Sequence, residues 1–197
     1  PEKNSKEKYP LIIGVAGSLG WRDHHYEFLE MYREMGVATF ELKSFKSRDV
    51  ESTVGTQVEV TTAMMILDSY RALDFLSEHP KIDKNNVAIT GWSLGGGVSL
   101  LSAWMPLITA INPENKFAAH LPIYPPCIAQ PENLDFSDSP IHILIGELDE
   151  WTPALACQEL TSKLQDLNYD INITIYKDSH HSFDSLSPLS IAENGYS

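Results

Sequence analysis

Cysteine is scarce in this 197-residue chain: there are two, Cys127 and Cys157, and neither belongs to a C-x-x-C pair. That excludes a zinc knuckle or a thioredoxin-type redox pair and leaves two buried thiols or one disulfide. Basic residues are also few. Against 27 Asp and Glu stand 14 Lys and Arg, a formal charge of −13, and they form no basic cluster. Nucleic acids and anionic membranes are bound by Lys and Arg that displace counterions, so neither is an expected partner. No apolar run reaches the roughly 18 residues needed to span a bilayer. Repeats, low-complexity tracts and linkers are missing too. The chain starts at Pro1 rather than Met and reads as processed or cut, so any targeting signal would lie upstream.

What is present is an ordinary globular balance, 43% hydrophobic and 21% charged residues, in a length that suits one domain over 1–197 with one sizeable core. Strand-like and helix-like runs alternate. "YPLIIGVAG", "VATFEL", "NNVAITGW", "FAAHLPIY", "IHILIG" and "INITIY" read as strands. "HYEFLEMYREMG" has apolar residues at helical spacing and stops at Gly36. A long amphipathic helix is predicted from about Val58 to Glu78, ended by His79-Pro80. "SLGGGVSLLSAWM" and "PALACQELTSKLQDLN" read as two more helices, and "KSFKSRDVESTVGTQ" has no period and reads as a loop. Six strands joined through helices imply βαβ units: an α/β fold with a mostly parallel sheet and helices on both faces. Ligands in such folds bind at the carboxyl ends of the strands, so the residues just past each strand are the ones that matter.

Past the third strand, Gly91-Trp92-Ser93-Leu94-Gly95 fits G-x-S-x-G. Three fixed residues at roughly 7% each would match about 0.07 times by chance in a chain this long, and this match falls between an apolar strand and a helix. A sharp strand-to-helix turn lifts a serine hydroxyl clear of the backbone, and the helix start aims amide N–H groups at the same place. The alternative is a Gly-rich turn with a buried serine. Past the fifth strand, "GELDEWTP" offers Glu147, Asp149 and Glu150. All three could be solvated, but a serine nucleophile needs a histidine, and that histidine an acid. Asp149 is best placed, with its short side chain and with Thr152-Pro153 opening the next helix. Past the sixth strand comes "DSHHSFDS", with His180 and His181. The order Ser93, Asp149, His is that of α/β-hydrolases. Neighbouring histidines on one loop rarely aim at a single ion, so metal binding is the weaker reading, and plain surface histidines are a third. Past the first strand, "GVAGSLGWRDHH" lacks the spacing of a dinucleotide fingerprint. The N–H of Ser18, with that of Leu94, is the expected oxyanion clamp.

These motifs resemble the dienelactone hydrolase family of α/β-hydrolases over nearly the whole chain. "YPLIIGVAGSLG" is similar to the family's oxyanion strand and loop, "KSFKSRDV" to a loop segment after the next strand, and "GWSLGG" to its nucleophile elbow. "YPPC", "GELDEWTP" and "HHSFD" resemble its later loops, the last through H-x-F-D. The resemblance selects His181 as base and leaves His180 as a neighbour of the pocket. Two departures stand out: Ala16-Gly17 replaces the family's frequent His-Gly, and Ser93 stands where dienelactone-cleaving members use Cys. A serine member implies a more general hydrolase of carboxylic esters or lactones, with small-molecule substrates and no metal or organic cofactor. The family's sheet usually has eight strands and a last helix, so two N-terminal strands and that helix are expected to lie outside this chain.

Ser93 is then the expected nucleophile, His181 the base and Asp149 its orienting acid. Trp21, Trp92, Tyr124 and Trp151 flank strand ends and are candidates for an apolar acyl pocket or for ordinary core. A prolyl-oligopeptidase-type peptidase shares the residue order, and a non-catalytic scaffold is the rival from outside enzymes. The strands before Cys127 and before the helix of Cys157 are expected to be adjacent, which brings the two cysteines within disulfide range. A bridge would point to the periplasm or the exterior, free thiols to the cytoplasm. Oligomeric state is not legible.

Overall fold

The computed structural model describes residues 8–56, 58–188 and 190. Six strands, β1 (Tyr9–Val15), β2 (Ala38–Leu42), β3 (Ile82–Trp92), β4 (Ala119–Ile123), β5 (Ile141–Gly146) and β6 (Ile171–Tyr176), form one sheet in the order β2-β1-β3-β4-β5-β6. Every neighbouring pair is parallel. Five helices connect them: α1 (Asp23–Glu34), α2 (Thr62–Ser77), α3 (Leu94–Leu101), α4 (Met105–Ile111) and α5 (Ala154–Asp166). The chain steps one way from β1 to β2, then reverses and runs through β3 to β6. Right-handed crossovers therefore place α1 on the face opposite α2 and α3, and the reversal opens a crevice at the carboxyl ends of β1 and β3.

The apolar spacing of the helices builds the core. Met65, Ile66, Tyr70 and Leu73 of α2 meet Leu11, Ile13 and Val15 of β1 and Val87 and Ile89 of β3. Cys157, Leu160 and Leu164 of α5 meet Ile141, Ile143 and Ile145 of β5. Each such aliphatic side chain taken fully out of water contributes about 1.5–3 kcal/mol before entropy is charged.

The structure departs from the sequence reading most at three places, besides a short 3-10 helix at Lys46–Arg48 inside the stretch read as a loop. The α2 helix starts at Thr62, not Val58, because the Thr61 hydroxyl accepts the N–H of Met64 and caps it. β3 begins at Ile82, since Tyr9 pairs with Ile82 before the register jumps to Leu11 and Val87. The run "SLGGGVSLLSAWM" is not one helix. It stops at Leu101, and Pro106 opens α4, which the sequence reading lacked. Proline has no N–H to continue a helix but is pre-set to begin one. The chain between them is taken up by a distant loop, with Met105 N–H donating to Asp135 and Ser137 N–H to Ala103.

Candidate active site

The turn after β3 holds Ser93 at φ 56° and ψ −113°, a conformation costing a non-glycine residue on the order of 1–3 kcal/mol. Its surroundings enforce it. A Cβ on Gly95 would lie 2.1 Å from the carbonyl oxygen of Val15, so β1 and α3 can pack this closely only if residue 95 is glycine. A Cβ on Gly17 would meet the Trp92 carbonyl at 3.2 Å, so the loop after β1 rests directly against the same turn. That loop is held from behind, where the Ser18 carbonyl accepts the Thr53 N–H and the Ser52 hydroxyl. The N–H groups of Ser18 and Leu94 donate to no protein acceptor among the described residues, and Leu94 is the first residue of α3.

Asp149 lies past β5 with its side chain fully buried. Its Oδ1 accepts the N–H groups of Trp151 and Thr152, and its Oδ2 accepts the Thr152 hydroxyl at 2.8 Å. The loop after β6 brings His181 Nδ1 to 2.8 Å from the same Oδ2, and His181 Nε2 to 3.0 Å from Ser93 Oγ. A carboxylate only accepts, so Nδ1 carries the proton and Nε2 presents its lone pair to the serine hydroxyl. Carboxylate, imidazole and hydroxyl thus stand in line, an arrangement able to take a proton from Ser93 during attack on a carbonyl. Glu147 and Glu150 are exposed, and Glu147 accepts the Asp178 N–H instead. No described hydrogen bond or ring contact involves the His180 side chain; its backbone carbonyl packs over Gly146.

A cavity of about 720 Å³ opens beside Ser93 and His181. Trp21, Trp92, Tyr124 and Trp151 all border it, but Trp92 and Tyr124 are buried and only Trp21 and Trp151 present a face. The Trp151 ring lies 5.2 Å from that of His181. Among the described residues, no group of three or more His, Cys, Asp or Glu is placed to hold a metal ion, and no helix is long and apolar enough to cross a membrane.

Cys127 and Cys157 are joined in a disulfide with Cα atoms 5.0 Å apart. It links the loop after β4 to the helix that follows Asp149, and both cysteines are buried. Four residues at the site had no role assigned from the sequence: Thr152 as a ligand of Asp149, then His24, His25 and Asp184. His25 stacks on Trp92 at 4.4 Å, and burial, with His24 and Arg22 nearby, pushes its pKa down to about 3. Asp184 accepts from Trp92 and Tyr124. Thr152 lies three residues from Asp149, a spacing visible in the sequence, whereas His25 and Asp184 meet Trp92 and Tyr124 from distant parts of the chain, and no local spacing reveals that.

A model of the dienelactone hydrolase family matches residues 30–195. The fold is similar to that of a candidate dienelactone hydrolase from Klebsiella pneumoniae subsp. pneumoniae MGH 78578, with TM-score 0.71 and 18% identity over 92% of this chain and 79% of that one. It is also similar to Thermogutta terrifontis esterase 2 with propionate bound, TM-score 0.74 and 14% identity over 93% of this chain and 78% of that one. The butyrate-bound form of that esterase matches at TM-score 0.74 and 13% identity, with the same coverage. No curated protein matches the sequence. With the family's model matched over most of its length on a parallel α/β sheet, the chain belongs to the dienelactone hydrolase family of the α/β-hydrolases and is a carboxylic-ester hydrolase.

Proposed function

We propose that the chain hydrolyses small carboxylic esters through an acyl-enzyme on Ser93, with His181 as general base and Asp149 as its orienting acid. One observation carries the reading: the unbroken relay from Asp149 Oδ2 through His181 to Ser93 Oγ, 2.8 and 3.0 Å long, assembled from residues 93, 149 and 181. His181 Nε2 takes the Ser93 proton as Oγ attacks the ester carbonyl. The N–H groups of Ser18 and Leu94 stabilise the oxyanion, and a pair so placed supplies on the order of 10²–10³ in rate per donor. The imidazolium returns its proton to the leaving alcohol. Water then enters by the same path in reverse and frees the acid. The acyl group is proposed to be short. The esterase that this fold resembles is solved with propionate and with butyrate.

A fluorophosphonate probe and a panel of p-nitrophenyl esters of increasing acyl length test this. The wild-type protein is expected to be labelled once per chain and to prefer acetate to butyrate over longer esters. Ser93→Ala should abolish labelling and lower kcat by three or more orders of magnitude. A folded Ser93→Ala retaining more than a tenth of the wild-type kcat sinks the assignment.

A further inference from the structure

The loop that carries His181 goes on to Asp184, a carboxylate for which the proposed chemistry has no use. Its side chain is 3% exposed. Burying a carboxylate costs several kcal/mol unless donors meet it. Here they come from separate elements. Trp92 Nε1–H, at the end of β3, donates to Oδ2 at 2.9 Å, and the Tyr124 hydroxyl, just past β4, donates to Oδ1 at 2.9 Å. From the first turn of α1, His24 Nε2 lies 3.9 Å from Oδ1 and has no hydrogen-bond partner among the described residues. Burial, then the charge of Asp184, hold the Tyr124 phenol protonated and able to donate, and the Ser182 hydroxyl meets the same phenol.

Both donors stand one step from the reacting atoms. Trp92 precedes Ser93 in the chain, and the Tyr124 ring lies 4.7 Å from that of His181. Upstream of His181 the loop is tied to β5 and β6: Leu148 N–H donates to Ser179, Asp178 N–H to Glu147, and Glu147 N–H to Tyr176. Downstream the tie is to the residues beside the nucleophile, through Asp184. We infer that Asp184 is a positioning residue, whose carboxylate fastens the His181 loop to Trp92 and Tyr124 and so sets the approach of the imidazole to Ser93. The inference rests on the proposed roles of Ser93, His181 and Asp149.

Asp184→Asn keeps the shape and removes one acceptor. Trp92 N–H can only donate, so the amide oxygen stays with it and the NH₂ turns to the Tyr124 hydroxyl, which must then accept where it had donated to a charge, a weaker bond that sends its own proton elsewhere. A displacement near 1 Å at reacting groups costs about 10²-fold. Asp184→Asn should therefore slow fluorophosphonate labelling of Ser93 by about 10- to 100-fold per folded molecule, and lower kcat on p-nitrophenyl acetate by the same factor with KM within about twofold. Tyr124→Phe should slow labelling by a smaller factor and add nothing in the Asp184→Asn background, because both act through one hydrogen bond. A merely structural role would lower the Tm and leave labelling per folded molecule unchanged. Wild-type labelling and kcat in folded Asp184→Asn, or additive losses in the double variant, overturn the inference. If Asp184→Asn does not fold, Tyr124→Phe and Trp92→Phe decide: slowed labelling with KM held supports it, wild-type labelling in both overturns it. Unlabelled wild-type protein would reject the acyl-enzyme reading itself, whereas labelled wild type with an equally fast Asp184→Asn rejects only the positioning role.

Discussion

Two adjacent histidines, of which the H-x-F-D resemblance selects the second, differ sharply in their surroundings. His181 shares its two nitrogens between Asp149 and Ser93, while His180 turns its backbone, not its ring, to the neighbouring strand. His181→Ala is therefore expected to lose ester hydrolysis and probe labelling together, by at least about 10³-fold, since the base and the serine act as a unit. His180→Ala should stay within about tenfold, because it moves no proton. Steady-state kinetics of both variants check this, and reversed losses would reassign the base. Thr152 shows how much depends on one hydroxyl. It donates to Asp149, lies 3.2 Å from His181 Nδ1, and follows Asp149 by three residues, so the turn that presents the acid also saturates it.

At the scale of elements, the disulfide couples the loop after β4 to α5, the helix that follows the acid loop. Cys127 follows Tyr124 by three residues, and Cys157 sits in the first turns of α5, directly after the acid loop. The bridge closes a separation of 30 residues, for which loop-closure entropy gives about 3–4 kcal/mol. A thiol count on denatured, unreduced protein should find no free thiols, and two per chain would remove the bridge. Reduction, or Cys127→Ala with Cys157→Ala, should lower the Tm by about 6–16 °C in a chain of this size, read by calorimetry with and without reductant.

The whole molecule has a sensitivity to acid written into its buried histidines. His120 on β4 donates Nδ1–H to the Ser99 carbonyl at 2.9 Å, and burial pushes its pKa down to about 4. His25, against Trp92, is pushed down to about 3. Unfolded, both return to about 6.5. Below that pH the unfolded chain binds up to two more protons than the fold, so stability is lost as pH falls from about 6.5 towards 4. Each histidine contributes a slope of about 1.4 kcal/mol per pH unit. Urea unfolding at pH 7, 6 and 5 should show that decline, and His120→Asn, which keeps a donor at the same place but does not titrate, should flatten it by about one proton. An unchanged slope would mean that His120 is not neutral in the fold.

The period of the apolar residues and the placement of glycines near strand ends were enough to specify a parallel α/β sheet of six strands, because burial on both faces of a sheet demands continuous apolar runs and helical crossovers demand their own spacing. The same local logic marked Ser93, since a Cβ on Gly91 would meet the backbone of Gly95 within the turn itself, although Gly95 is required by the approach of β1. Boundaries escaped where distant chain intervened, as at Ala103 and Met105, whose carbonyl and N–H are met by Ser137 and Asp135. The choice of Asp149 over Glu147 and Glu150 had a local cue in Thr152, but the meeting of residues 93, 149 and 181 belongs to the sheet, which sets the ends of β3, β5 and β6 along one edge. Asp184 is legible in the sequence as the last residue of H-x-F-D, but what it does is decided by tertiary structure. Its partners are donors at the end of β3 and just past β4, 92 and 60 residues away, and no window of sequence contains them, because a buried charge is stabilised by whatever the completed fold brings within hydrogen-bond reach of it.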